Sequence, residues 1–220
     1  MEFEKFLSIL EFSQFNKMQL TVVQNEMLKF VIDNRFLIIY KNRRGGISTA
    51  ISLYMLWLLI ENPKCSIGML YSSLAEREIF REIINLNLSN LQETFKAKGL
   101  DSTFALVHNA VNKTTFPNGS KILYWSKHSE NALRGTTLDF VYISELNDRD
   151  NFDYLLRCIL PCLSLKKNSK FIITTSELIN VKEDMIMNGY GVSEYWSGDS
   201  FDGKRVVLTE KCKKKESLLF

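Results

Sequence analysis

FLIIYKNRRGGIST, residues 36–49, decides the fold predicted for this chain. Its apolar, β-branched beginning predicts a short buried strand over residues 36–40. A basic turn with two glycines follows, and Ser48 and Thr49 then open an apolar run to Ile60 that predicts a helix. Glycine lets the backbone approach a ligand closely, and the amino end of a helix attracts anions. The pattern therefore indicates a phosphate-binding loop.

The match to the standard phosphate-binding pattern G-x-x-x-x-G-K-[ST] is incomplete. Ile47 stands where the lysine belongs, and Lys41 stands where the first glycine belongs. A lysine at position 41 could reach back over the loop to the β- and γ-phosphates, and a hydroxyl at the helix start can ligate Mg²⁺. A basic turn that binds no nucleotide is the alternative. The candidate nucleotide-binding residues of this stretch are Lys41, Arg43, Arg44, Gly45, Gly46, Ile47, Ser48 and Thr49, with Ser48 as the Mg²⁺ ligand.

Length and composition limit the possible domain organisation and the possible ligands of this chain. The 220 residues suffice for one α/β domain with at most a small appendage. The net charge of +3 permits contact with nucleic acid without arguing for it. The four cysteines form no CxxC pair and so do not indicate a zinc site. The amino-terminal residues lack a basic segment, and the apolar run at 47–60 is too short to span a bilayer, so we expect no membrane association.

Helical and extended patterns alternate along the rest of the chain. Residues 1–32 look helical, 65–71 predict a strand and 74–91 a helix, which gives the β-α-β-α order of a parallel sheet. Residues 114–125 predict a hairpin that turns at Asn118-Gly119. A helix is predicted over 151–163, ending near Pro161, and a strand over 169–176. From residue 188 onward, glycines and aromatic residues predict irregular structure.

The stretch from Leu138 to Glu145 predicts a buried strand that ends in a carboxylate. In a phosphate-loop enzyme, an acid at that place faces the γ-phosphate and polarises the attacking water. The usual pair there is Asp-Glu, in which the aspartate serves the Mg²⁺ shell, but Ser144 stands in the aspartate position and is at best a weak metal ligand. The alternative for Glu145 is an ordinary acid at a helix start.

Two further polar features have a functional and an ordinary interpretation. The amide of Gln24, on a helix before the first strand, both donates and accepts and could read adenine; a solvated residue on an amphipathic helix is the alternative. Thr174 and Thr175 end the strand at 169–176. Hydroxyls at that place could sense the γ-phosphate and couple it to movement, or could simply cap the strand.

Taken in order, these elements resemble the ATPase domain of the large terminase subunit of tailed bacteriophages, the motors that package DNA into procapsids. The resemblance covers roughly residues 19–180. It implies an α/β fold of the P-loop NTPase type (RecA/ASCE-like), with a mainly parallel central sheet flanked by helices. The motifs that carry it are Gln24, the variant phosphate loop at 41–49, the LRGTTLD stretch at 133–139, the acidic strand at 140–145 and the coupling motif at 172–176.

The resemblance also implies a role for each matching residue. Lys41 and Arg44 would hold the phosphates of ATP, and Ser48 would ligate Mg²⁺. Glu145 would be the catalytic carboxylate, and Arg134 an arginine finger acting on the neighbouring subunit. Thr174 and Thr175 would couple hydrolysis to motion. The implied partners are double-stranded DNA, the portal protein, the small terminase subunit and further copies in a ring, in the host cytoplasm.

The resemblance predicts an ATPase domain over residues 1–180 and a carboxy-terminal extension, linker or subdomain over 181–220. Large terminases also carry a nuclease domain, for which this chain leaves no room, so we expect no nuclease activity in these residues. Ser144 and Ile47 favour a second hypothesis, a degenerate module that binds nucleotide and assembles on DNA or portal without efficient turnover. A helicase-type ATPase has less support, because no DEAD or DExH tetrad follows the acidic strand.

Overall fold

The computed structural model describes most of the chain as far as residue 176, together with one later segment. Side chains are not described at 152, 153, 156, 164 and 193–197. The described residues are 5–6, 20–41, 46–101, 103–105, 107–129, 133, 135–147, 151–164, 169–176 and 193–197.

The centre of the described part is an eight-stranded sheet. Its strands, in chain order, are β1 (Phe36–Lys41), β2 (Ser66–Tyr71), β3 (His108–Ala110), β4 (Lys113–Thr115), β5 (Lys121–Ser126), β6 (Phe140–Ile143), β7 (Lys170–Thr175) and β8 (Ser193–Ser197). In space the order is β3-β4-β5-β2-β6-β7-β1-β8. Every pairing from β5 to β8 in this order is parallel, and the pairings of β4 with β3 and with β5 are antiparallel. The mainly parallel sheet predicted from the sequence is confirmed.

Helices cover both faces of this sheet. They are α1 (Val22–Asp33), α2 (Ile47–Glu61), α3 (Leu74–Ala97) and α4 (Phe152–Ser164). The side chains of β1 alternate between the faces, as the period of two in a strand requires. Leu37 and Ile39 pack with α1, α2 and α3 in one core, whereas Phe36, Ile38 and Tyr40 pack with α4 in the other. Burial on both faces explains why β1 is apolar from Phe36 to Tyr40.

Some element boundaries differ from the prediction. Helix α3 runs six residues beyond Leu91 because its buried face continues through Phe95. Helix α4 continues through Pro161 to Ser164. The predicted hairpin is confirmed as β4 and β5, which pair antiparallel around Gly119, whose φ is +82°. None of the helices in the described ranges is long and apolar enough to cross a membrane.

The expectation of irregular structure from residue 188 onward was wrong at β8. Its five residues pair in parallel with β1, from Leu37 opposite Ser193 to Lys41 opposite Ser197. The central sheet thus extends beyond residue 180, where the sequence placed the end of the ATPase domain. The division of the chain into two units stays a prediction.

Candidate functional site

The predicted phosphate loop joins the carboxyl end of β1 to the amino end of α2. Strand β1 ends at Lys41 and α2 begins at Ile47, with Gly46 as its N-cap. Gly46 has a φ of +67°, a left-handed conformation that glycine adopts without steric cost. Its carbonyl oxygen accepts hydrogen bonds from the Ala50 amide, at 3.1 Å, and from Gln24 Nε2, at 2.9 Å. The intervening candidates, Arg43, Arg44 and Gly45, lie outside the described residues.

Gln24 lies on α1 next to this loop. Its backbone amide and side chain form a capping box with Thr21, in which Oε1 accepts from the Thr21 amide at 2.8 Å. The other end of the side-chain amide donates to Gly46. The approach is so close that a Cβ atom at position 46 would lie 2.3 Å from Nε2. Gln24 therefore holds the loop from the side of α1, while adenine reading stays a prediction.

The first turn of α2 combines an apolar anchor with two hydroxyls. Ile47 is buried in the core, which explains why an apolar residue can stand at the usual lysine position. Ser48 and Thr49 are half-buried beside it. Ser48 thus lies two residues beyond the glycine cap, where a hydroxyl ligand for Mg²⁺ is expected.

A buried polar cluster holds this turn against α3, and the sequence reasoning missed it. Asn87 Nδ2 donates to the Thr49 carbonyl oxygen at 3.3 Å and to Ser52 Oγ. Ser52 Oγ in turn donates to the same carbonyl at 2.7 Å. A signal was present, because Asn87 falls on the helix face of Phe80 and Ile84, where a polar residue is unexpected.

Glu145, the predicted catalytic acid after β6, contacts Lys41, the predicted phosphate-binding lysine. Lys41 Nζ is 2.6 Å from Glu145 Oε2, which joins the carboxyl ends of β1 and β6. The side chains are 14% and 34% exposed, respectively. An ion pair of that exposure stabilises the fold by about 1 kcal/mol or less, so a polyphosphate can compete for the lysine.

The backbone of Glu145 is held in an unusual conformation. Its φ is +50°, a left-handed value that is uncommon for residues other than glycine, asparagine and aspartate. The Glu145 amide donates to Thr174 Oγ1 at 3.3 Å, and the Leu146 amide donates to the Thr174 carbonyl oxygen at 2.9 Å. Lys127 Nζ donates to the Glu145 carbonyl oxygen at 2.8 Å. Ser176 Oγ donates to the carboxylate at Oε1.

The two predicted coupling residues are fully buried at the end of β7. β7 lies between β1 and β6, so it touches both the lysine strand and the acid strand. Thr174 contacts the main chain of Glu145 and lies 3.1 Å from the Tyr142 hydroxyl, whereas Thr175 pairs with Tyr40. The position suits a coupling role, which stays a prediction. Ser144, the weak metal candidate, is buried in the same region, and its amide donates to the Leu70 carbonyl oxygen at 3.1 Å.

Arg134, the predicted finger, lies outside the described residues, but the turn around it is partly described. Leu133 and Gly135 both have positive φ, +66° and +72°. The Leu133 carbonyl oxygen accepts from the Thr136 amide at 3.1 Å, from Thr136 Oγ1 at 2.6 Å and from Cys162 Sγ at 3.2 Å. Burial raises the pKa of the Cys162 thiol, which keeps it a neutral donor. The turn is thereby fixed to α4.

A mainly parallel sheet, a glycine-capped helix that follows β1, and an acid after β6 in contact with the last residue of β1 are the features of a P-loop NTPase fold. Comparison with solved structures specifies this fold further. It is the fold of the ATPase domain of phage large terminases. No protein-family model matches the sequence, and no curated protein matches it either.

Three solved structures illustrate the likeness. The large terminase ATPase domain of Thermus phage P74-26, in a mutant form, is 20% identical with a TM-score of 0.64, over 95% of this chain and 78% of that one. The large terminase of a thermophilic bacteriophage, in complex with ADP, is 14% identical with a TM-score of 0.52, over 92% of this chain and 50% of that one. The Phi-28 gp11 DNA packaging motor is 11% identical with a TM-score of 0.54, over 90% and 66%. This chain spans half the length of the terminase that was solved with ADP.

Proposed function

We propose that this chain is the ATP-hydrolysing motor domain of a viral large terminase, which couples ATP hydrolysis to the movement of double-stranded DNA into a procapsid. The observation that carries the proposal is the contact between Lys41 and Glu145. It brings a cation at the end of β1 to a carboxylate at the end of β6, beside the glycine-capped start of α2. A site of that composition suits a nucleotide polyphosphate and a water molecule that attacks it.

In this proposal Lys41 exchanges one anionic partner for another. In the structure, its ammonium group neutralises Glu145. ATP brings several negative charges to the same place and draws Lys41 to the β- and γ-phosphates, with Arg43 and Arg44 adding positive charge from the loop. Glu145 is then released to accept a hydrogen bond from the attacking water and to take its proton.

The residues around the first turn of α2 fit an Mg²⁺ ion that accompanies ATP. Ser48 offers the hard oxygen ligand that Mg²⁺ prefers, and this ion takes few protein ligands because phosphates and waters complete its octahedron. When bound, the ion would neutralise charge on the phosphate oxygens. Ser144 offers only a neutral hydroxyl in place of a carboxylate, so we expect weaker metal affinity than an aspartate would give.

The remaining roles follow the same geometry. Gln24 reads adenine while it touches the loop at Gly46. Arg134, on a turn fixed to α4, stabilises charge on the transferring phosphoryl group of a neighbouring subunit. Thr174 contacts the Glu145 main chain, so a movement of the acid on hydrolysis is passed to β7. Thr175, beside it, belongs to the same coupling element.

The similar structures support nucleotide binding and a packaging role. A large terminase from a thermophilic bacteriophage was solved with ADP and with ATP-gamma-S, and Phi-28 gp11 is described as a DNA packaging motor. We propose the same ligand class and process for this chain. Portal protein, small terminase subunit, double-stranded DNA and further copies in a ring are the proposed partners, in the host cytoplasm. The ATPase domain would occupy residues 1–180, with 181–220 as an extension.

A second function competes with this one. The neutral Ser144 at the aspartate position favours a degenerate module that binds nucleotide and assembles on DNA or portal without efficient turnover. The two functions differ in whether Glu145 has chemistry to perform.

The test is phosphate release from the purified protein with Mg²⁺-ATP at high protein concentration, with and without double-stranded DNA. A motor whose finger acts in trans gives turnover that rises steeply with protein concentration. Arg134→Ala should then lower the rate by about 10³–10⁵-fold, and Glu145→Gln by about 10²–10⁴-fold, while both variants still bind ATP. Glu82→Gln, the same change on the exposed surface of α3, is the matched control and should keep full activity. ATP binding with no turnover would favour the degenerate module, and no ATP binding would reject both functions.

A further inference from the structure

Lys127 is a buried cation next to the acid of the site. It follows β5 directly and is 3% exposed. Lysine is almost never buried to that extent unless its ammonium group has a partner. Its backbone amide donates to the Tyr71 carbonyl oxygen at 2.8 Å, which fixes the residue at the end of β2. Because β2 lies between β5 and β6, the side chain reaches across the end of β2 towards the acid strand.

The ammonium group of Lys127 meets the main chain of Glu145 and not its carboxylate. Nζ donates to the Glu145 carbonyl oxygen at 2.8 Å. The two peptide groups that flank Glu145 Cα are thus held from opposite sides. Thr174 binds the amide of Glu145 and the amide of Leu146, and Lys127 binds the carbonyl between them. A charged donor makes a stronger hydrogen bond to a carbonyl than a neutral one.

This arrangement has a consequence for the left-handed backbone of Glu145. A glutamate with φ of +50° is in a costly conformation, which persists only where the surroundings hold it. The conformation also sets the direction of the side chain, which reaches Lys41 from its place after β6. We propose that Lys127 is a positioning residue that holds Glu145 in its left-handed conformation and thereby aims the carboxylate at the phosphate loop.

This role deepens the proposed function and rests on it in one respect, that Glu145 acts on ATP. It differs from a phosphate contact, in which the ammonium group would bind ATP itself and not the main-chain oxygen of Glu145. It is also distinct from general stabilisation of the fold. A positioning role affects the chemical step and the local backbone of Glu145, whereas a merely structural role affects only global unfolding.

The experiment compares Lys127→Met with wild type. Methionine keeps the length and apolar stem of lysine but donates no hydrogen bond. Amide hydrogen exchange, resolved by residue with NMR, reports whether the Leu146 amide remains bound to Thr174. We expect faster exchange at Leu146 in Lys127→Met and unchanged exchange in the strands away from the site. In steady-state kinetics, kcat falls about 10²-fold, the size of effect that a misplaced catalytic group produces, with KM for ATP unchanged.

Two further variants sharpen the test. Lys113→Met removes the same charge from the exposed start of β4 and should change neither exchange at Leu146 nor kcat. Lys127→Arg keeps a charged donor and should recover part of both. If Lys127→Met does not fold, Lys127→Gln takes its place, since the shorter neutral amide should also loosen the Glu145 main chain.

The outcomes separate this inference from the proposed function. Unchanged exchange at Leu146 in the Lys127 variants overturns the positioning role, whatever the ATPase activity. A raised KM with unchanged kcat overturns it too, because Lys127 would then contact the nucleotide. Faster exchange at Leu146, together with a wild-type protein that binds but does not hydrolyse ATP, upholds the positioning of Glu145 and rejects the proposed hydrolysis.

Discussion

The two ends of the parallel sheet use buried charge differently. At the amino end, charged side chains bind the main chain. Arg35 Nε donates to the Ser169 carbonyl oxygen at 2.9 Å, and Lys170 Nζ donates to the Val31 and Ile32 carbonyl oxygens. At the carboxyl end, Lys127 also binds a main-chain carbonyl, that of Glu145, but Lys41 binds the side chain of Glu145.

The difference shows which end is built to change partners. A carbonyl at the end of a helix needs a donor in every state of the protein, so Lys170 is a permanent cap for α1. A carboxylate that is one-third exposed can be solvated by water or bound by a ligand, so Lys41 can leave it. The charged contacts at the amino end therefore hold the fold together, whereas the contact between Lys41 and Glu145 at the carboxyl end is exchangeable. Three predictions test this contrast.

The same substitution at both ends should give opposite results. Lys41→Met removes the cation of the site, and loss of a single charge-stabilising donor lowers kcat by about 10²–10³-fold. Lys170→Met should leave kcat and ATP affinity unchanged and reduce only thermal stability. Phosphate release and ATP binding, measured with the two purified variants, show whether the substitutions differ in this way. Equal loss of activity at both positions would remove the distinction between the ends.

The glycine turn at the carboxyl end gives a smaller effect. Gly46→Ala and Gly99→Ala both place alanine in a left-handed conformation, since their φ values are +67° and +66°. That costs about 1–2 kcal/mol at either position. At Gly46 the new methyl group also displaces the Gln24 amide, which loses its hydrogen bond to the Gly46 carbonyl oxygen. At Gly99 the new methyl group would meet no atom within 4 Å among the described residues.

We therefore expect Gly46→Ala to lose about 1 kcal/mol more than Gly99→Ala, measured as the free energy of unfolding in urea. The Gln24→Ala variant provides the internal check, because in its background the two glycine substitutions should cost the same. A Gly46→Ala variant no worse than Gly99→Ala in the original background would show that Gln24 does not hold the loop.

Much of the sheet could be predicted because the apolar composition of its central strands indicates that they are buried. β1, β6 and β7 each contain a run of consecutive apolar residues, and a strand buried on both faces is mostly apolar. β8 was missed because its sequence, SEYWS, has no such run and its place is set by pairing with β1. Pairing between distant segments leaves no local pattern in the sequence.

The candidate site likewise contains residues that the sequence could identify and contacts that it could not. Lys41 and Glu145 could be singled out, since each follows a buried strand, and their contact follows from the parallel order of the sheet. Lys127 gave no such signal. It stands in the polar segment that follows β5, and no local sequence pattern shows that its side chain is buried against a carbonyl 18 residues away. The hydrogen bond of Gln24 to Gly46 was missed for a related reason: the amide was considered for its ligand chemistry, and the loop conformation that brings Gly46 to it is a tertiary feature.

The last prediction concerns the pH dependence of stability at the amino end. Desolvation lowers the pKa of Lys170 to about 8 from its ordinary value of 10.5, against an opposing effect of Asp33. Between these two values the folded protein has lost a proton that the unfolded chain still holds, so the free energy of unfolding rises with pH in that window. Burial raises the pKa values of Tyr54 and Tyr124, so their ionisation affects stability only above about pH 10. Burial also raises the pKa of the Cys162 thiol, whose ionisation in the unfolded chain lowers stability above about pH 8.5 in wild type and variants alike. Thermal unfolding from about pH 7 to pH 10 should therefore show a rise for wild type relative to Lys170→Met. The Lys41→Met variant should keep the rise, and its loss there would mean that the stabilising contacts of Lys170 depend on Lys41.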